Sequence, residues 1–311
     1  MPTQPISTIG RPTKKAACTF DRFKLASLVR GAVGGVVLIL ALGSSLGELL
    51  AASPKEILQN RLTNIELCNG SDRSSPDPQI KGCTALIETG KETALVLAIA
   101  HNNRGDALSA KGEFDRAISD YDLAIKFNPT FSKPFNNRGV AYQKKGEYDR
   151  AIKDFDEAIK LSPDYARAFA NRAETNQRRH EFQQAARDYD DAIRLQPDLE
   201  AVWNGRCWAR AIIGELQPAL ADCNKALLIQ PNDAAAFDSR GLIYLKMGQV
   251  DSAIEDYNSA LRIEPKLASA LYGRGLARLK KGDSSAGNAD VAAAKKLETT
   301  IASEFSRYGV N

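Results

Sequence analysis

"FNNRGVAYQKKGEYDRAIKDFDEAIKLSP" (Phe135–Pro163) places an arginine, Arg138, on the face that an amphipathic helix would bury. The same residue returns every 34 positions, as Arg104, Arg138, Arg172, Arg206, Arg240 and Arg274. A small residue follows each one: Gly105, Gly139, Ala173, Cys207, Gly241 and Gly275. Further along the same frame stand Ala117, Ala151, Ala185, Ala219 and Ala253, then Tyr121, Phe155, Tyr189, Cys223 and Tyr257. Alanines (Ala124, Ala158, Ala192, Ala226, Ala260, Ala294) and prolines (Pro129, Pro163, Pro197, Pro231, Pro265) complete it. A strict period of this length means stacked supersecondary units rather than one globular core.

Each unit reads as two helices. Apolar residues recur at helical spacing on both sides of a glycine (Gly112, Gly146, Gly214, Gly248, Gly282), which suits a left-handed helix end. Acidic residues open the second helix in "GEFDRA" and "GEYDRA", complementing its dipole, and the proline closes it. The small residues of the first helix are expected to face alanine on the second.

This pattern resembles the tetratricopeptide repeat (TPR): an aromatic (Phe135, Phe169, Trp203, Phe237), then small, Tyr, Ala, aromatic, Ala, Pro. The resemblance implies an all-α fold, an α-solenoid of antiparallel helix pairs. Six repeats cover residues 98–299 (98–131, 132–165, 166–199, 200–233, 234–267 and a degenerate 268–301). A degenerate hairpin is expected before them at 54–97. A polar cap follows at 300–311, with Phe305 packed on the last pair.

Sixteen residues after each arginine stands an aspartate: Asp120, Asp154, Asp188, Asp222, Asp256 and Asp290. In a hairpin turning at the glycine, the two positions lie level on facing helices. The expectation is a repeated, structural Arg–Asp pair (Arg104–Asp120 through Arg274–Asp290) inside each unit. The family usually has leucine at the arginine position, so the pair is a departure from its pattern.

Net charge is +4 over 311 residues, and all of it lies in residues 1–53, which hold six basic and two acidic side chains. No basic stripe marks the repeats for nucleic acid. Residues 1–30 read as a basic, unstructured segment. The uncharged run Gly31–Gly47, within a candidate span at 31–52, reads as a signal anchor or a signal peptide. Uncleaved, it would make a single-pass inner-membrane protein with its repeats in the periplasm; cleaved, a soluble periplasmic or secreted one. The bacterial compartment is implied by resemblance to exported TPR proteins.

Cys68 and Cys83 bracket a polar loop, and Cys207 and Cys223 hold the small and aromatic positions of one hairpin. Both pairs are disulfide candidates, the alternative being buried thiols. The cysteine spacings are not those of zinc sites, and only two histidines are present. His101 falls at the aromatic position as a packing residue, and His180 replaces a hairpin glycine. No phosphate loop, nucleophile elbow or HExxH stretch occurs, so neither catalysis nor a cofactor is expected.

The family resemblance implies a concave groove lined by first helices that receives a protein or peptide partner. Residues before the arginines (Asn103, Asn137, Asn171) would offer amides to a peptide backbone. Trp208, Leu242, Tyr272 and Leu276 would form an apolar stripe near the C-terminus. A clamp for a C-terminal carboxylate is disfavoured, because Asn102 and Asp106, then Asn136 and Val140, stand at its positions. The function expected is a protein-interaction scaffold or assembly factor. The alternative is a soluble repeat protein that binds a non-protein ligand such as a cell-wall polymer.

Overall fold

A computed structural model describes residues 53–71, 75–199 and 201–310. The basic segment and the apolar run of the sequence reading lie outside the described residues. Fifteen helices and no strand are found among the described residues. They fall into two compact units, one through Pro129 and the other from Thr130.

The first unit holds two hairpins, α1 (Pro54–Cys68) with α2 (Asp77–Glu88), and α3 (Ala94–Ala110) with α4 (Phe114–Phe127). Ser53 caps α1 in a reciprocal box with Glu56, and Pro54 takes the first helical position. A disulfide joins Cys68 at the end of α1 to Cys83 in α2, with 4.6 Å between their Cα atoms.

The second unit stacks five hairpins. They are α5 (Ser132–Lys144) with α6 (Tyr148–Leu161), α7 (Ala166–Arg178) with α8 (Phe182–Leu195), and α9 (Val202–Ile213) with α10 (Leu216–Ile229). Next come α11 (Ala234–Lys246) with α12 (Val250–Ile263), and α13 (Ala268–Lys281) with α14 (Ser284–Leu297). A short helix, α15 (Ile301–Arg307), follows α14.

The hairpin turn is a paired hydrogen-bond motif. The Gly146 N–H donates to Gln143 O and the Glu147 N–H to Tyr142 O, which closes the first helix with Gly146 at φ 78°. His180 holds the equivalent place at φ 62°, a left-handed conformation in which a Cβ is strained.

Where the small residue is Gly105, Gly139 or Gly241, the close approach is made against an aromatic ring rather than the alanine expected, whereas Gly275 meets Val291 and the Gly287 backbone at the alanine position. A Cβ on Gly139 would lie 2.7 Å from the Phe155 ring, and one on Gly241 2.8 Å from Tyr257. Gly105 stands likewise to Tyr121 in the first unit. Cys207 and Cys223 occupy these same two positions in α9 and α10, and there the contact is a disulfide, with Cα atoms 5.3 Å apart.

Candidate interaction groove

The arginines are held from both helices of their own hairpin. Each of the six donates through Nε and one terminal nitrogen to both oxygens of its aspartate, at 2.6–3.0 Å. All six aspartates are buried. For Arg138, Arg172, Arg206 and Arg240 the aromatic one helical turn earlier lies against the guanidinium, with Arg206 5.0 Å from the Trp203 centroid and Arg172 5.6 Å from Phe169. Hydrogen bonding to Asp120 and Asp256 holds the Arg104 and Arg240 guanidiniums above their ordinary pKa, against the effect of burial.

A third donor reaches the preceding hairpin, which the sequence reading did not anticipate. In the second unit Arg172, Arg206, Arg240 and Arg274 donate through Nη1 to Asp156, Asp190, Asn224 and Asn258 at 2.6–2.8 Å. In the first unit Arg104 donates to Thr84 of α2. The arginine is therefore a bracket between repeats as well as within one. Its signal was an Asp or Asn two residues after the pairing aspartate.

His101 is buried and stacks on Phe127, with centroids 5.7 Å apart. Its Nδ1 lies 2.8 Å from Asp120 Oδ1, so that nitrogen carries a proton toward the carboxylate. Burial pushes Asp120 up, but hydrogen bonds from Arg104 and His101 outweigh it and leave its pKa lowered. His101 thus adds a polar contact to its packing role. His180 is exposed.

The asparagine row is corrected by its burial. Asn103 is 7% exposed and donates to Cys68 O, so it ties α3 to the leading hairpin and is closed to a ligand. In the second unit Asn171 donates to Asn136 Oδ1 and Asn136 to Asn137 Oδ1, a chain linking neighbouring first helices. Asn137 and Asn171 are half-buried. The row ends at Gly205 because the Tyr189 ring fills that space: a Cβ there would lie 2.4 Å from Tyr189 Cζ. Gly273 clears Tyr257 in the same way.

The apolar stripe is likewise corrected. Leu242 is 1% exposed, while Trp208, Tyr272 and Leu276 are half-buried. What covers them is the chain's own end. Phe305 meets Tyr272 edge-on at 4.8 Å, Tyr308 meets Trp208, and Ile301, Phe305 and Val310 share one core with Leu242 and Leu245. Helix α15 thus lies across the first helices instead of only ending the stack, because its apolar residues find the stripe there.

Between α15 and the first helices α7, α9, α11 and α13 lies a cavity of about 370 Å³. Gln177, Asn204, Trp208, Asp238, Ser239 and Tyr308 are among its walls. Asp238 is buried, with its Oδ2 accepting from Ser269 at 2.6 Å. Burial raises its pKa to about 7, opposed by the Ser269 hydrogen bond and reinforced by Glu264. The sequence reading did not single out Asp238, although polar residues recur at its place in the period (Asn102, Asn136, Asn204).

With this geometry in place, the tetratricopeptide-repeat profile matches residues 132–165, and a second TPR-repeat profile matches 105–146 and 241–282. The chain carries tetratricopeptide repeats. Solved TPR structures resemble it in fold. YrrB, described as a TPR protein with an unusual peptide-binding site, is 23% identical with a TM-score of 0.53, over 62% of this chain and 97% of its own. A tetratricopeptide repeat protein from Parabacteroides merdae is 17% identical with a TM-score of 0.59, over 81% of this chain and 99% of its own. Pseudomonas aeruginosa pilF is 15% identical with a TM-score of 0.57, over 68% and 96%. No curated protein matches the chain in sequence.

No helix among the described residues is long and apolar enough to cross a membrane.

Proposed function

We propose that the chain is a non-enzymatic protein-interaction scaffold or assembly factor, and that the first-helix face of residues 130–311 receives its partner. The observation that carries this is the cavity between α15 and the first helices, walled by amide, hydroxyl, carboxylate and aromatic groups. Such a mixture suits a peptide segment, which brings both backbone polar groups and side chains. The peptide-binding site described for YrrB supports the reading by analogy of fold. The repeats are exported across, or held at, the membrane by residues 31–52. The disulfides Cys68–Cys83 and Cys207–Cys223 favour such an oxidising compartment.

Site-specific photocrosslinking in cells tests the surface. Glu174 lies one helical turn before Gln177, on the same face of α7, whereas Lys160 is exposed on the second helix α6. A photoreactive residue at Glu174 should capture a defined partner that one at Lys160 does not. Capture only from Lys160, or from neither position, overturns the groove reading. A protease added outside the inner membrane should digest the repeats of intact spheroplasts; complete protection removes the export reading.

A further inference from the structure

Three carboxylates and no basic side chain line the cavity against α15: Asp238 at its wall on α11, and Glu298 and Glu304 from the chain's last segment. Asp238 is 8% exposed, and its single hydrogen bond, from the Ser269 hydroxyl, engages only Oδ2. No donor reaches Oδ1. Asn204, on the neighbouring first helix and also lining the cavity, has a buried Oδ1 with no hydrogen-bond partner. A buried acceptor left without a donor, as Asn204 Oδ1 is, is uncommon, because it loses its hydration without replacement. Glu298 and Glu304 stand close enough to raise the Glu298 pKa after burial has done so, a repulsion that a cation would relieve. Trp208 and Tyr308, locked edge to face at 5.1 Å, add aromatic surface to the same walls.

Acceptors without donors, negative charge without a counter-charge, and aromatic surface together specify a cationic hydrogen-bond donor. We propose that this cavity is a recognition site for a basic side chain, an arginine by preference, presented by the protein partner. A guanidinium is planar, offers five donors, and can span Asp238 and Asn204 while its face lies on an aromatic ring. Lysine would supply the charge without the fork. Asp238 is the residue that selects the charge, Asn204 takes a second donor, and Glu298 and Glu304 hold the approach negative. The inference rests on the reading of the first-helix face as the partner surface and adds the chemistry of what enters it.

The test uses the full-length chain, purified in detergent and labelled with fluorotryptophan. Its two tryptophans act as probe and internal control: Trp208 lines the cavity, and Trp203 does not. N-acetyl-arginine amide should shift the Trp208 fluorine resonance saturably and leave Trp203 still. N-acetyl-citrulline amide, similar in shape but uncharged, should require about tenfold more or fail to act. Asp238→Asn should bring the arginine response down to that of citrulline, with the melting temperature unchanged or raised. Equal responses to the two compounds overturn the proposal, as does an Asp238→Asn protein that still prefers arginine. Partner capture at Glu174 with no arginine preference would sink this inference alone; loss of both would sink the partner surface with it.

Discussion

Trp208 and Tyr308 meet edge to face, 5.1 Å between ring centroids, although a hundred positions separate them in the chain. The contact ties α15 across the first helices α9, α11 and α13, and it turns an exposed apolar row into core. Phe305, 1% exposed, is its deepest anchor. Phe305→Ala should therefore cost about 3–5 kcal/mol, the range for emptying a buried phenylalanine site. The same substitution should increase binding of a hydrophobic dye and shift Trp208 emission to the red. A urea midpoint equal to wild type would show that α15 does not contribute to the stack.

The Arg172–Asp188 pair offers a cleaner measurement of the repeated ion pair. Asp188→Ala leaves a largely buried guanidinium with only Asp156 and should destabilise by roughly 3 kcal/mol, the low end for breaking a buried pair. The double variant Arg172→Leu/Asp188→Leu restores the leucine usual in the family and removes both charges. It should recover most of that loss. Urea titration of wild type, the single and the double variant checks the sign. A double variant less stable than the single would mean that the third donor, to Asp156, is the dominant bond.

Reduction should act unequally on different hairpins. The α9–α10 disulfide closes a loop of about the length for which cross-linking gives roughly 3 kcal/mol, so the wild-type urea midpoint should fall in dithiothreitol. Cys207→Gly/Cys223→Tyr copies the packed pair of Gly241 and Tyr257, which hold the same two positions one repeat later. That variant should keep its helix content, and the part of its dithiothreitol response that comes from this hairpin should vanish. A loss of helix on substitution would mean that the backbone there is held open by the disulfide geometry.

The repeats were legible because their signals are local and recur. A period of 34 and an Arg–Asp interval of 16 follow from one antiparallel hairpin; Cys207 and Cys223 fall on positions the hairpin brings level, and Cys68 and Cys83 bracket a polar loop. What was not legible depends on how hairpins stack. The reach of the Arg172 Nη1 to Asp156 and the burial of Asn103 on Cys68 O cross from one repeat to the next. Gly205 read as the end of a groove row, yet it is a clearance for Tyr189 of the hairpin before it. Helix α15 has no period: the packing of Phe305 on the last pair was expected and is found against Tyr272, but nothing in "IASEFSRYGV" told that Tyr308 would reach back to Trp208.

Asp238 makes a pH prediction whose sign is fixed by burial. Its folded pKa is pushed up to about 7, whereas an unfolded aspartate titrates near 3.9. Below the unfolded value both states hold the proton, and the contribution to stability is fully present. Between the two values the folded carboxyl keeps its proton and the unfolded one releases it, so stability falls as pH rises. Above about 7 both are ionised and the loss is complete, amounting to a few kcal/mol. Asp238→Asn carries no ionisable group there. Its urea midpoint should change less than that of wild type between pH 5 and pH 8, and at pH 8 it should be the more stable protein. Parallel curves for the two proteins would mean that Asp238 is already ionised at pH 5, with a counter-charge in the folded state. A more stable Asp238→Asn protein at pH 8 would identify a carboxylate kept at the expense of stability, as expected of a residue retained for binding.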